Sequence, residues 1–256
     1  MSGTATIKMT VQYDGSAYHG YQKQKGGIAT VQSSLEEALG KLLGRPIEIV
    51  GASRTDAGVH ALGQVVSFSV ESNIPPDRMA PALSPLLPPT ISAVHSERKP
   101  VGFNARFDAK AKTYHYLCYE AKHAVPFYRH YALNVPCNFD AAKAAAAMER
   151  FVGTHDFTAF ENQGSSQRDS VKTISAFEIE RFGPFIKFQV TGTGFLYKMV
   201  RNMVGAAIEA GLGRMTPEGI DGALRSGRRE LAGPTLPPQG LYLIRVLYGG
   251  EGEKIK

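Results

Sequence analysis

Tryptophan is absent from the 256 residues, and cysteine occurs only twice, at Cys118 and Cys137. Two cysteines without CxxC spacing exclude a disulfide framework and a cysteine-based structural zinc site. They lead us to expect free thiols and a cytoplasmic location. No apolar run approaches the roughly 18 residues that span a bilayer, so no membrane partner is expected. The start, MSGTATIKMTVQYDG, has no charged segment followed by an apolar block and does not read as a signal peptide. P-loop, GxSxG and HExxH motifs are missing, and His19, His95, His115, His123, His130 and His155 are scattered without metal-ligand spacing. Neither a metal nor a cofactor is therefore expected. Acidic residues are mildly short, with 23 Asp+Glu against 29 Lys+Arg and a net charge of +6. That excess permits a polyanionic partner without requiring one.

What is present is an ordinary globular chain, 43% hydrophobic and 20% charged, long enough for one large or two small domains with a real core. Residues 6–13 alternate as a strand. Thr30 caps a helix through VQSSLEEALGKLLG, whose Val31, Leu35, Ala38, Leu39, Leu42 and Leu43 share one face. A short strand at 47–50, the β-prone run QVVSFSV (64–70), a Pro-interrupted helix at 77–87 and a strand at 88–97 follow. Strand-helix-strand-strand-helix-strand is the order of a split ferredoxin-like unit, an α+β fold. The second half repeats it with longer parts: a strand at 113–120, a helix at 139–153 capped by Asp140 or Asn138, a hairpin around Gly183-Pro184, and a long helix at 195–213. A short helix, TPEGIDGALRSG, and a strand at 240–248 close the chain. We expect two domains, 1–108 and 109–256, with the tail 251–256 frayed.

Three constellations carry chemistry. GASRTDAGVHALGQV sets Arg54, Asp56, His60 and Leu62 among alanines and glycines, in a turn of about thirteen residues where two to five is usual. Small neighbours let another segment or a ligand approach the backbone closely. Asp56 there is either a reactive carboxylate on a pedestal or an Asx-turn former beside a solvated Arg54. Segment 98–131 interleaves Arg98, Lys99, Arg106 and Lys110 with Tyr114, Tyr116 and Phe127, among others. Such a mixture suits splayed nucleotides, or else it is a half-buried strand with its rings in the core. In GTGFLYKMVRNMVG, Tyr197, Arg201 and Val204 fall on roughly one helical face. An arginine on so apolar a helix needs a carboxylate or phosphate partner, and Asp56 is available.

GASRTDAGVHALGQV, VQYDGSAYHGYQ, FNARFDAKAKTYHY, FLYKMVRNMVG and AGPTLPPQGLYLIRVLY together resemble the tRNA pseudouridine synthase A family, in order and over nearly the whole chain. Two departures are Tyr21, where the family usually has Trp, and Lys172, where it often has Arg. The resemblance implies the pseudouridine synthase fold, with two RRM-like halves whose largely antiparallel sheets join into one. It implies isomerisation of uridine to pseudouridine at positions 38, 39 and 40 of the tRNA anticodon stem-loop, by a cytoplasmic homodimer that uses no metal or cofactor. By motif match the catalytic aspartate falls on Asp56. The base-contacting tyrosine falls on Tyr114, the aspartate's basic partner on Arg201, and the arginine that helps displace the base on Arg54. Loop 161–170 is a candidate to close over substrate. Two alternatives are a noncatalytic RNA-binding module of two ferredoxin-like sheets and a small-molecule hydrolase using Asp56 and His60.

Overall fold

The computed structural model describes residues 4–164 and 169–249. The tail 251–256 and the middle of loop 161–170 lie outside them. The chain divides into two compact units, Met1–Lys110 with Tyr242–Lys256, and Ala111–Leu241. The architecture is mixed α+β with mostly antiparallel strands.

The first unit contains β1 (Ala5–Tyr13), α1 (Val31–Leu43), β2 (Val50–Gly51), β3 (His60–Val70), α2 (Met79–Leu83) and β4 (Ile91–Lys99). β1 pairs antiparallel with both β4 and β3, and β2 pairs antiparallel with β3. This is the expected split ferredoxin-like arrangement. β1 alternates as its sequence requires: Ile7, Met9, Val11 and Tyr13 are buried. Helices α1 and α2 pack together, and Val31, Leu35, Ala38 and Leu39 form the buried stripe of α1. Each large residue of that stripe contributes about 1.5–3 kcal/mol by leaving water. α1 begins at a capping box, in which Thr30 Oγ1 accepts the Ser33 N–H and Ser33 Oγ accepts the Thr30 N–H. It ends at Gly44, whose φ of +70° suits a residue without Cβ.

The division expected at 108/109 needs a correction at the C-terminus. The closing strand β10 (Leu241–Tyr248) runs parallel to the start of β3, pairing Tyr242 with His60 and Leu243 with Ala61, and belongs with the first unit. Gly63 makes this possible, because a Cβ there would lie 2.2 Å from the Ile244 carbonyl oxygen.

In the second unit β5 (Ala109–Glu120) pairs antiparallel with β9 (Phe185–Gly192), β9 with β8 (Val171–Phe182), and β8 with β7 (Gly153–Asp156). The short β6 (Leu133–Val135) lies parallel to β5. The hairpin turns at Gly183-Pro184 as expected, with Gly183 at φ +58° and Phe182 stacked on Phe185 at 5.5 Å. Helix α3 (Ala141–Met148) is capped by Asp140, whose carboxylate accepts from the N–H groups of Ala142 and Lys143. It packs against α4 (Met199–Gly211), which is buried almost all round. α5 (Pro217–Ser226) follows, capped by Thr216. The helix expected from 195 starts only at Met199. Lys198 sits at φ +61°, in the left-handed region, and no helix passes through it.

Candidate active site

The stretch 51–63 is shorter as a loop than its glycines suggest. Residues 60–63 already belong to β3, leaving 52–59 between β2 and β3. Its flanking glycines answer to packing within the chain. A Cβ on Gly51 would meet the Tyr21 ring at 2.3 Å, and Gly58, at φ +77°, sits in the turn that the Val59 N–H closes on the Asp56 carbonyl.

The loop is braced from several sides. The hydroxyls of Tyr13 and Thr55 are 2.7 Å apart and buried. Gln64, wholly buried on β3, donates Nε2–H to the Ser53 carbonyl at 2.7 Å and accepts the Ser53 N–H on Oε1 at 3.1 Å. The Tyr21 N–H donates to the Thr55 carbonyl. Gly15 and Gly20 bring a neighbouring backbone so close that added Cβ atoms would lie 2.0 Å from the Val59 oxygen and 3.0 Å from the Thr55 oxygen. The backbone around Asp56 is thereby fixed, while the Asp56 side chain is half-buried and Arg54 is exposed. A carboxylate on such a mount needs little reorganisation to meet a reacting group.

His60 serves the fold here. It is 3% exposed, stacks on Tyr242 at 4.8 Å, and accepts the Gly15 N–H on Nδ1 at 3.1 Å. That bond requires an unprotonated Nδ1, so the 3.2 Å approach of Asp14 to the same nitrogen is not an ion pair in this tautomer. A hydrolase built on Asp56 and His60 loses its base.

Tyr114 and Arg201 belong to the second unit, Arg54 and Asp56 to the first. Tyr114 lies on β5, buried, with its ring edge-on to Phe195 at 5.2 Å. Arg201 is buried on α4 and donates Nε–H to the Leu236 carbonyl at 2.6 Å, while the Leu236 N–H returns to the Arg201 carbonyl. Segment 232–237 is held against α4 at further points. Thr235 Oγ1 donates to Asn202 Oδ1, and Arg229 donates to Asn202 Oδ1, Thr235 Oγ1 and the Gly233 carbonyl. A Cβ on Gly205 would lie 2.1 Å from the Pro234 oxygen. Arg201 is thus presented from a rigid, nearly buried helix.

Of the Phe and Tyr rings in segment 98–131, Tyr114, Tyr116 and Tyr119 are core, and Phe103 and Tyr128 are half-buried. Phe107, Phe127 and Tyr131 are exposed. At the two departures, Lys172 donates to the carbonyls of Asp169 and Val171 and pairs with the Asp169 carboxylate, and the Tyr21 hydroxyl is buried without a hydrogen-bond partner among the described residues. Burial keeps that phenol well above its usual pKa. No trio of metal-ligating side chains occurs among the described residues, and no helix among them is long and apolar enough to cross a membrane. Tyr13, Thr55 and Gln64, which hold the Asp56 loop, were not singled out by the sequence. The one available signal was a glutamine opening the β-prone run QVVSFSV.

A family model described as tRNA pseudouridine synthase matches residues 9–108 and 147–249. Arg54, Asp56 and Arg201 fall inside these spans and Tyr114 between them. Among curated proteins, the chain is 43% identical over 242 residues to tRNA pseudouridine synthase A of Acetivibrio thermocellus, covering 94% of this chain and 99% of that one. It is 45% identical over 245 residues to the protein of the same name from Syntrophomonas wolfei, covering 94% and 97%. It is 40% identical over 244 residues to that from Bacillus licheniformis, covering 94% and 98%.

Proposed function

Because the chain belongs to the tRNA pseudouridine synthase family, we propose that it isomerises uridine to pseudouridine at positions 38, 39 and 40 of the tRNA anticodon stem-loop, with Asp56 as nucleophile. The observation that carries the reading is the family match itself, which spans both the Asp56 loop and α4. The braced, half-exposed mount of Asp56 supports the role given to that residue.

The protein is an isomerase, and its reaction conserves atoms. The N1–C1′ bond breaks, the uracil turns, C5 bonds to C1′, the C5 proton departs and N1 gains one. A uridine inside a stem hides its glycosidic bond, so the base leaves the stack at a cost of a few kcal/mol. Asp56 stabilises the sugar while the base is detached. Tyr114 supplies a ring to the loose base, Arg201 binds substrate from α4, and Arg54 helps displace the base. We assign the working form to a cytoplasmic homodimer. A noncatalytic RNA-binding module is disfavoured, since relatives at 40–45% identity over nearly their full length are named as synthases.

The test is a nucleotide-resolution map of pseudouridine in tRNA from cells lacking the protein, with the purified chain added back to unmodified tRNA. Loss and restoration at positions 38–40 is expected. An unchanged map, or restoration at other positions, overturns the assignment. Sedimentation of the purified chain tests the dimer.

A further inference from the structure

The loop between β4 and β5 is a second rigid mount, and it carries a cation, Arg106, whose neighbour Asp108 is bound to the backbone. Asn104 Oδ1 accepts the N–H groups of Arg106 and Phe107, at 2.9 and 3.2 Å. The Asn104 N–H donates to Asp108 Oδ2 and the Asp108 N–H returns to the Asn104 carbonyl. Between them, the Ala105 N–H donates to buried Ser67 Oγ at 3.0 Å and the Ala105 carbonyl accepts from the Tyr248 hydroxyl at 2.7 Å. This frame displays two side chains. Phe107 is 75% exposed, and the Arg106 guanidinium lies over its ring, 5.6 Å from the centroid.

The frame stands near the Asp56 loop. Ser67, from which Ala105 hangs, faces Val50 across the β2–β3 pair, and the same pairing continues through the Ala52 N–H to the Val65 carbonyl into loop 52–59. Burial and the positive charge of Arg54 both pull the Arg106 guanidinium below its ordinary pKa. Asp108, the carboxylate nearest in sequence to Arg106, is turned to the Asn104 N–H. Like charges on these two loops repel in the free protein. An anion bound between them removes the repulsion, and a guanidinium fork fits a phosphate.

We propose that Arg106 and Arg54 together hold one backbone phosphate of the substrate RNA beside the reacting nucleotide, and that Phe107 stacks on a neighbouring base. This rests on reading the Asp56 loop as the reacting one. Arg106 is a substrate-binding residue in this account, and its removal weakens binding rather than the chemical step.

The experiment uses the full chain and unmodified tRNA transcript, with binding measured across a salt series and turnover at saturating tRNA. Arg106→Gln should lower the slope of log affinity against log salt by about 0.7–0.9, the contribution of one phosphate. It should weaken binding roughly tenfold to a hundredfold, as loss of a charge-assisted contact does. Arg106→Lys should restore the slope but only part of the affinity. Phe107→Ala, at a surface position, should weaken binding about tenfold with the slope unchanged. The Arg54→Gln/Arg106→Gln pair should lose less than the product of the single losses, because the two share one phosphate. An Arg106→Gln variant with wild-type slope and affinity overturns the proposal while the wild-type enzyme still modifies tRNA. A wild-type chain that does not modify tRNA overturns the functional reading instead.

Discussion

Tyr13→Phe removes one atom from the brace under Asp56. The lost hydroxyl is 2.7 Å from Thr55 Oγ1, both residues are nearly buried, and the ring itself is unchanged. Deleting one partner of a buried hydrogen bond costs about 1–3 kcal/mol, because the remaining hydroxyl loses water without compensation. At about 2–4 °C per kcal/mol for a chain of this size, the melting temperature should fall by roughly 3–6 °C for a loss near 1.5 kcal/mol. The reaction should slow by more than the stability loss explains, since the Thr55 carbonyl and its neighbour Asp56 sit on the segment released, and small misplacements of a reacting group cost large factors in rate. Thr55→Val removes the same bond from the other side. Melting temperatures and single-turnover rates of both single variants and the double variant close a cycle. The double variant should lose less than the sum of the two single losses, with Tyr13→Phe the costlier single change because the Tyr13 hydroxyl also accepts from Gln64 at 3.4 Å. Additive losses in both readouts would refute the claim that this hydroxyl pair holds the loop.

Tyr114→Phe keeps the ring, so it should retain most of the turnover measured on tRNA, whereas Tyr114→Ala should lose it; a dead Phe variant would transfer the role from ring to hydroxyl. Tyr21→Phe deletes a buried hydroxyl without a partner among the described residues, so stability read by thermal melting should be unchanged or raised by up to about 1 kcal/mol; a clear destabilisation would show a bonded hydroxyl. Lys198→Gly relieves a left-handed residue and a cation at the start of α4, and should raise stability by about 1 kcal/mol, read as a melting shift of roughly 2–4 °C. A fall in melting temperature would show that the Lys198 side chain holds the turn through its contact over the Tyr197 ring.

Elements dominated by local periodicity were legible. The apolar stripe and Thr30 cap of α1, the alternation in β1 and the Gly183 hairpin each depend on residues close in sequence. Features set by distant partners were not. Residues 60–63 read as glycine-rich turn because Gly63 exists for Ile244, some 180 residues away, and only the β3–β10 pairing explains it. The start of α4 was placed four residues early because Phe195 to Lys198 fit helical spacing, whereas the backbone turns at Lys198. β6 and β7, three and four residues long, are too short to carry a period. For the candidate site, the aspartate loop stood out by composition, but its supports did not. Tyr13, Gly15 and Gly20 come from one segment and Gln64 from another, and they converge on the loop only in the fold.

Asp56→Asn tests the centre of the account with a change of one atom and one charge. Pseudouridine formation in unmodified tRNA under single-turnover conditions should fall by at least about a thousandfold, as removal of a nucleophile does, while tRNA affinity and melting temperature stay near wild type. Turnover within about tenfold of wild type by a folded, tRNA-binding Asn variant would contradict it.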